Sequence, residues 1–339
     1  MFWFGLNAQK DSTAAFTFSA YGELYYSYDF SKPINNEKPN FIYNHKKHNQ
    51  IDANLIFAKV SYNKKNVRAN VAAMAGNYPQ YNLASEPTFY QHILEANAGI
   101  KLFKNIWLDA GIMPSHIGFE SAISADCFTP TRSMLAENSP YFETGIKLST
   151  SSKNQQWSYS ILLLNGWQKI NAPSNIKQPS FGLQCSYKPN DKLLLNYSNF
   201  IGSDKPDSMN AVRVYHNIYV QYFANKKLAY TVGLDIGKDK YDNVNYGYWL
   251  SPIAIVKYTI KNNFALAARA EYFNDNKEIM IQTNIGKGFK VWGLSVNTDY
   301  SISDKILCRL EGKLYSASEN IFSNNSNAFV ITSNISFKL

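Results

Sequence analysis

Few residues of this chain could do chemistry, and none is spaced for covalent work. His45 and His48 stand three apart, a spacing that can place two imidazoles on one helix face for a metal. Nothing around them suggests a helix or a third ligand. His92 and His216 fall on the apolar parity of strand-like segments, where a rim-located lipid hydrolase would carry a histidine. Spacing assigns no Ser or Asp to either. Cys127, Cys185 and Cys308 are odd in number and far apart, which argues against a disulfide framework or a structural zinc. Cys185 and Cys308 share the apolar parity of their segments and read as small hydrophobes. No glycine-rich phosphate loop, nucleophile elbow or paired metal motif occurs. The expectation is a protein that is not an enzyme and takes no cofactor and no metal.

Charge inside alternating segments is the more informative chemistry. Glu23, Glu95, Asp109, Glu143, Arg213, Arg269, Glu271, Arg309, Glu311 and Lys313 lie on the polar parity of period-two stretches. Lys101 and Lys147 share that parity. Glu120, Asp126, Arg132 and Glu137 sit in one long connection, 114–139. Opposed charges across a narrow wet passage create a transverse field that orients dipolar solutes, and charged rings set ion preference. The specific expectation is that Arg269, Arg309 and Lys313 face the acidic connection across such a passage. Paired, solvated lumen charges without a gating role are the alternative.

The elements that would position these groups are strands. About sixteen period-two segments run from 15–29 to 328–339, and helical periodicity is weak throughout. In the first, Phe16, Phe18, Leu24, Tyr26 and Tyr28 oppose Thr17, Ser19, Glu23, Ser27 and Asp29. In the last, Phe329, Ile331, Ile335, Phe337 and Leu339 oppose Thr332, Asn334, Ser336 and Lys338. Such alternation is a half-buried strand. The connections alternate too. Short turns such as Asn63–Asn66 and Asn225–Lys227 separate long ones near 30–49, 79–88, 114–139, 168–178, 203–210, 239–246, 274–288 and 318–327. A soluble meander has no reason to alternate so, whereas a membrane barrel has short periplasmic turns and long outer loops.

Size decides which way the faces point. Sixteen strands enclose a lumen too wide for side chains alone to fill, so the apolar face is assigned to lipid and the polar face to a wet interior. Aromatics gather at strand ends, Phe16, Tyr62, Trp157 and Tyr187 beside short turns and Tyr26, Tyr246, Tyr248 and Tyr272 beside long loops. Two belts at the headgroup layers are expected. Composition agrees. Hydrophobic residues make up 45%, mean hydropathy is -0.32, and 24 Tyr and 21 Phe occur. No apolar run is long enough for a spanning helix. The net charge of +9 comes with lysines scattered in turns rather than clustered, so no nucleic-acid partner is expected. Residues 1–8 read as the remnant of a secretory signal peptide, and 9–339 as one domain.

Residues 106–120 (IWLDAGIMPSHIGFE) lead into the longest connection, and Pro140–Lys147 (PYFETGIK) return from it. This pattern resembles the β-barrel porin family of Gram-negative outer membranes, in which an "aG" strand and "iG-x-E" precede a long third loop and a "tG" strand returns. The resemblance extends thinly over most of the chain. It implies an all-β, single antiparallel up-and-down transmembrane barrel of about sixteen strands, with fourteen to eighteen open. It also implies that 114–139 folds inward to narrow the pore. The expected function is passive diffusion of small hydrophilic solutes through the outer membrane. A structural or adhesive barrel with a plugged lumen is the rival, and a rim lipid hydrolase a weaker one. Expected partners are outer-membrane lipids, the barrel assembly machinery reading the C-terminal strand with Phe337 as signal, and the solutes themselves. As the sixteenth strand the last segment is expected to pair with the first and close the sheet, setting Phe337 at the periplasmic rim beside Phe16 and Phe18. A homotrimer stays open.

Overall fold

The computed structural model describes residues 15–283 and 285–339. The segment read as a signal remnant, 1–8, lies outside them. Sixteen strands follow in order: β1 (Phe16–Asp29), β2 (Ile51–Lys64), β3 (Val67–Ala75), β4 (Ile93–Phe103), β5 (Ile106–Pro114), β6 (Phe142–Ser151), β7 (Trp157–Leu164), β8 (Ser180–Asn190), β9 (Leu193–Gly202), β10 (Arg213–Phe223), β11 (Leu228–Lys240), β12 (Tyr246–Lys261), β13 (Phe264–Asp275), β14 (Phe289–Ser301), β15 (Ile306–Ala317) and β16 (Asn327–Lys338). Each pairs antiparallel with its chain neighbours, and β1 pairs with β16 to close the barrel. Closure is what lipid demands, because an open edge would leave unpaired N–H and C=O groups where no water can reach them. Among the described residues no helix is long and apolar enough to cross a membrane.

The alternation read from the sequence is the alternation of the wall. In β1 Phe16, Phe18, Leu24 and Tyr26 are exposed, while Tyr21, Glu23, Tyr25, Ser27 and Asp29 are buried. In β16 Phe329, Ile331, Ile335 and Phe337 are exposed, while Val330, Thr332, Asn334 and Ser336 are buried. The belts form as ring contacts at both ends. Phe16–Tyr62 (5.0 Å) and Trp157–Tyr187 (4.2 Å) lie beside short turns, and Phe30–Phe329 (5.4 Å) and Tyr272–Trp292 (4.6 Å) beside long loops.

Two expectations are corrected. The lumen is not uniformly wet. Inward positions include Leu55, Phe57, Leu162, Leu164, Phe200, Trp249, Ile253, Ile255, Phe273 and Val291, all buried. They are buried because outer loops, chiefly the first three, pack against them and need apolar seats. Loop L1 (30–50) supplies Phe41 and Ile42, L2 (76–92) supplies Tyr78 and Leu83 around a short helix α1 (Asn77–Asn82), and L3 (115–141) supplies Ile117, Met134, Leu135 and Tyr141 with a one-turn helix α2 (Met134–Glu137). Phe337, second, does not sit beside Phe16 and Phe18. It stands opposite Gly22, and the N–H of Leu339 donates to the carbonyl of Ala20. The shear of the barrel lets the start of β1 run past the chain end, where Phe16 faces Tyr62 of β2 instead.

Candidate functional site

The candidate site is the lumen where L3 meets the wall. The strand before L3 ends in a backbone that only glycine tolerates. Gly111 has φ +124°, and a Cβ there would lie 2.1 Å from the Ala96 carbonyl oxygen. Gly111 faces Gly145 across β5 and β6. These are the glycines of the "aG" and "tG" strands, and their bare backbones let β4–β7 approach closely where the loop turns inward.

L3 is fastened to the far wall by the three basic side chains expected to oppose it. They do not face it across a gap; they grip it. Arg269 on β13 donates to Thr129 Oγ1 (2.9 Å) and to the carbonyl of Thr131 (2.9 Å). Arg309 on β15 donates to the carbonyls of Ser124 (2.8 Å) and Phe128 (2.8 Å). Lys313 donates to that of Arg132 (3.2 Å). The carboxylates between them close the network. Arg269 pairs with Glu311 at 2.8 Å, Lys313 with Glu271 at 2.6 Å and Arg309 with Asp299 at 2.8 Å. Glu311 accepts from Thr131 Oγ1 (2.6 Å), and Glu271 from the N–H of Met134 (2.6 Å). Side chains of Arg269 and Glu311 are wholly inaccessible. Such charges persist inside a protein only because each meets an opposite charge and directed hydrogen bonds.

The remaining sequence-selected residues lie at several places rather than one, buried or partly buried except Asp126, which stays exposed. Glu120 accepts from the N–H of Ser133 (3.0 Å) and lies 3.7 Å from Arg269. Arg132 folds back on its own loop, donating to the carbonyls of Ser121 (2.6 Å) and Pro130 (2.7 Å). Asp126 reaches Lys338 near the chain end at 2.5 Å. Glu95 pairs with Lys59 at 2.7 Å, and Asp109 is clasped by Arg68, whose Nε lies at 2.6 Å. Arg213 pairs with Asp204 (2.8 Å) and Asp239 (3.0 Å), away from L3.

Two anchors escaped sequence reasoning. L1 enters the lumen as well, and the His45–His48 pair separates. His45 Nε2 lies 2.9 Å from Glu23 of the wall, while His48 Nδ1 accepts from the N–H of Asp29. Glu137 of L3 caps the N–H groups of Tyr43 and Asn44 in L1. Burial raises the Glu137 carboxyl above its ordinary range, against those donors. The signal in the sequence was Phe41-Ile42, an apolar pair with no reason to sit in an exposed loop. The second anchor is His116. Its Nδ1 pairs with Glu143 at 2.8 Å and its Nε2 reaches the main-chain carbonyl of Asn199 at 2.7 Å, in the β8–β9 seam. The N–H of Leu183, the strand partner of Asn199, donates to the Asn199 side-chain oxygen (2.9 Å). Gly182 makes the space, since a Cβ there would sit 2.6 Å from the imidazole. His92 and His216, the rim candidates, contact the Met74 carbonyl and the Tyr197 hydroxyl.

A closed sixteen-stranded barrel with a lipid-facing apolar wall, aromatic belts and an inserted third loop defines the class of outer-membrane porins. The chain belongs to the family described as "Putative beta-barrel porin-2, OmpL-like", whose model matches residues 15–339. It is therefore an integral outer-membrane β-barrel and a porin. Solved structures share the fold at low identity. A loop-deletion form of OmpT from Vibrio cholerae has a TM-score of 0.63 at 12% identity, over 96% of this chain and 100% of that one. An anion-selective porin from Comamonas acidovorans has 0.63 at 8% identity, over 96% and 99%. The outer membrane channel DcaP of Acinetobacter baumannii has 0.60 at 11%, over 95% and 97%. No curated protein matches the chain significantly.

Proposed function

We propose that the chain conducts small hydrophilic solutes passively, with L3 as a fixed constriction and L1 packed beside it. The observation that supports this reading most is the asymmetry of the lumen. L3 is hydrogen-bonded to buried, mutually paired charges on β13–β15, while inward side chains of β2–β8, including Ser61, Asn70, Lys101, Lys147 and Gln184, remain partly exposed. Solutes pass along that sector, filtered by size and charge, with no cofactor and no covalent step. The structural relatives described as an anion-selective porin and an outer membrane channel support a conducting role. The lipids around the belts and the assembly machinery engaging β16 and Phe337 are the partners this reading requires. The Vibrio cholerae OmpT is known in a trimer form, and a homotrimer is proposed here on the same architecture.

The rival is a barrel whose lumen is shut, and one observation favours it: two apolar clusters, around Phe41 and Tyr78, lie inside the wall. Liposome swelling with sugars, run beside planar-bilayer recording, decides between them. Uptake and discrete conductance are expected from the purified protein, with Arg269→Ala raising the conductance because L3 loses its grip on β13. A folded barrel that neither swells liposomes nor conducts, in either form, would mean that the lumen is closed.

A further inference from the structure

The charges gripping L3 are spent on one another, so selectivity must come from elsewhere in the lumen. The open sector differs in kind. Arg68, Gly99, Asp109 and Lys147 lie in register across β3, β4, β5 and β6. Gly99 carries no side chain, and a Cβ there would lie 2.1 Å from Asp109 Oδ1. Arg68 therefore reaches over it and takes both carboxylate oxygens of Asp109. Lys147, the direct strand partner of Asp109, is left without an ion pair among the described residues. One pleat nearer the short turns, Lys101 faces Trp107 across β4 and β5. The Trp107 ring has the Arg68 guanidinium 4.3 Å from its centroid and the Lys101 ammonium 5.9 Å away. Lys101 too has no carboxylate partner among the described residues.

The neighbouring charges reinforce the imbalance. Lys59 and Glu95 cancel as a pair, and Glu143 is buried against His116. At the mouth of the same strands the short turns carry Lys64, Lys65, Lys104 and Lys153, all exposed, and no acidic residue. The passage is thus lined by two free ammonium groups and entered through four more.

We propose that this sector, centred on Lys101 and Lys147 with Trp107 between the cations, is an anion-selecting surface and that the solutes it favours are small anions such as chloride and carboxylates. The inference rests on the channel reading above. Each uncompensated charge a few ångströms from a passing ion in aqueous dielectric changes the local monovalent-ion concentration roughly threefold, anions up and cations down.

Reversal potentials in a KCl gradient across planar bilayers test it, using full-length protein whose folding is checked by heat-modifiable migration on gels. The unmodified channel is expected to favour chloride by at least roughly threefold. Lys101→Glu with Lys147→Glu should abolish or reverse that preference, and the milder Lys101→Gln with Lys147→Gln should reduce it. Lys226→Glu, in a turn on the far side of the barrel, should leave it unchanged. Conduction without anion preference overturns the inference and leaves the channel reading standing. Anion preference that survives both double variants overturns the assignment to these lysines. Absence of any conductance removes the channel reading and the inference with it.

Discussion

At the scale of single residues, the lumen chemistry consists of charges that have been matched. Parity predicted which side chains point inward, because Cβ direction alternates along a strand without regard to context. Depth and partner are different information. They depend on how far each strand is staggered and on where a loop lies, and neither leaves a period in the sequence. Hence Arg269 and Arg309 were readable as inward but not as loop anchors, and Lys38 gave no sign of its burial. Lys38 in L1 is only 4% exposed. Burial holds its ammonium down to about 7 from an ordinary 10.5, against the opposing pull of Asp29, Glu137 and Glu311. The sign of the linkage follows. Between those two values undocked Lys38 binds more protons than docked Lys38, so docking of L1 strengthens as pH rises through that window and is weakest below it. Lys38→Met removes the titrating group. The gel-shift melting temperature of the unmodified barrel should therefore climb from pH 7 to pH 10 relative to Lys38→Met, and the variant should be the more stable one at pH 6. A difference between the two that does not vary with pH would show that Lys38 keeps its charge in the docked loop.

At the scale of elements, strands could be read closely and the inward loops could not. Each strand carries its own face pattern, so β1 and β16 were recognisable from about a dozen residues apiece. A loop that packs inside a barrel has no periodicity, and its apolar residues look misplaced until the cavity around them is known. His116 is the sharpest case, since it bonds to a main-chain carbonyl of the β8–β9 seam from inside the barrel, a contact that no face pattern records. The arrangement is local. The imidazole takes the Asn199 carbonyl, the Asn199 amide takes the Leu183 N–H, and Gly182 supplies the room. The wedge fixes the root of L3, one turn of chain after β5. His116→Ala should free that root and raise single-channel conductance. Gly182→Ala should do the same with the histidine still present, because the new methyl group occupies its seat. Because both act through one contact, the double variant should add little to His116→Ala alone. Additive effects in conductance would mean that Gly182 and His116 act independently.

At the scale of the whole molecule, closure of the sheet makes the other features matter. The sixteen strands alternate in face along their whole length, yet an apolar outer wall is tolerable only if the ring has no free edge in lipid. That requirement falls on one seam. β16 joins β15 from Ile306–Phe337 to Ser316–Asn327, and β1 from Tyr21–Lys338 to Asp29–Val330. The terminal strand thus satisfies two ladders at once. The carbonyl of Phe329 also accepts from the N–H of Phe30 beyond the end of β1, and the side chains of Ser27 and Thr332 bond across the seam at 2.7 Å. Removing Phe329–Leu339 would expose the inner edges of β1 and β15 together, and no neighbouring strand could shift to fill the gap without breaking its own register. The stagger at the seam separates two roles that the sequence had merged. Phe337 pairs with Gly22 and Ile306, whereas Phe16 and Phe18 extend past the chain end onto β2. Among the described residues the ring of Phe337 therefore makes no aromatic belt contact that closure depends on. Deletion of Phe329–Leu339 should abolish both the heat-modifiable species and membrane integration, while Phe337→Ala should still fold when refolded in detergent and lose efficiency only where cellular assembly is required. Quantifying folded barrel in refolding and in cells separates the two outcomes. A deletion variant that folds in detergent would show that the ring can close on fifteen strands.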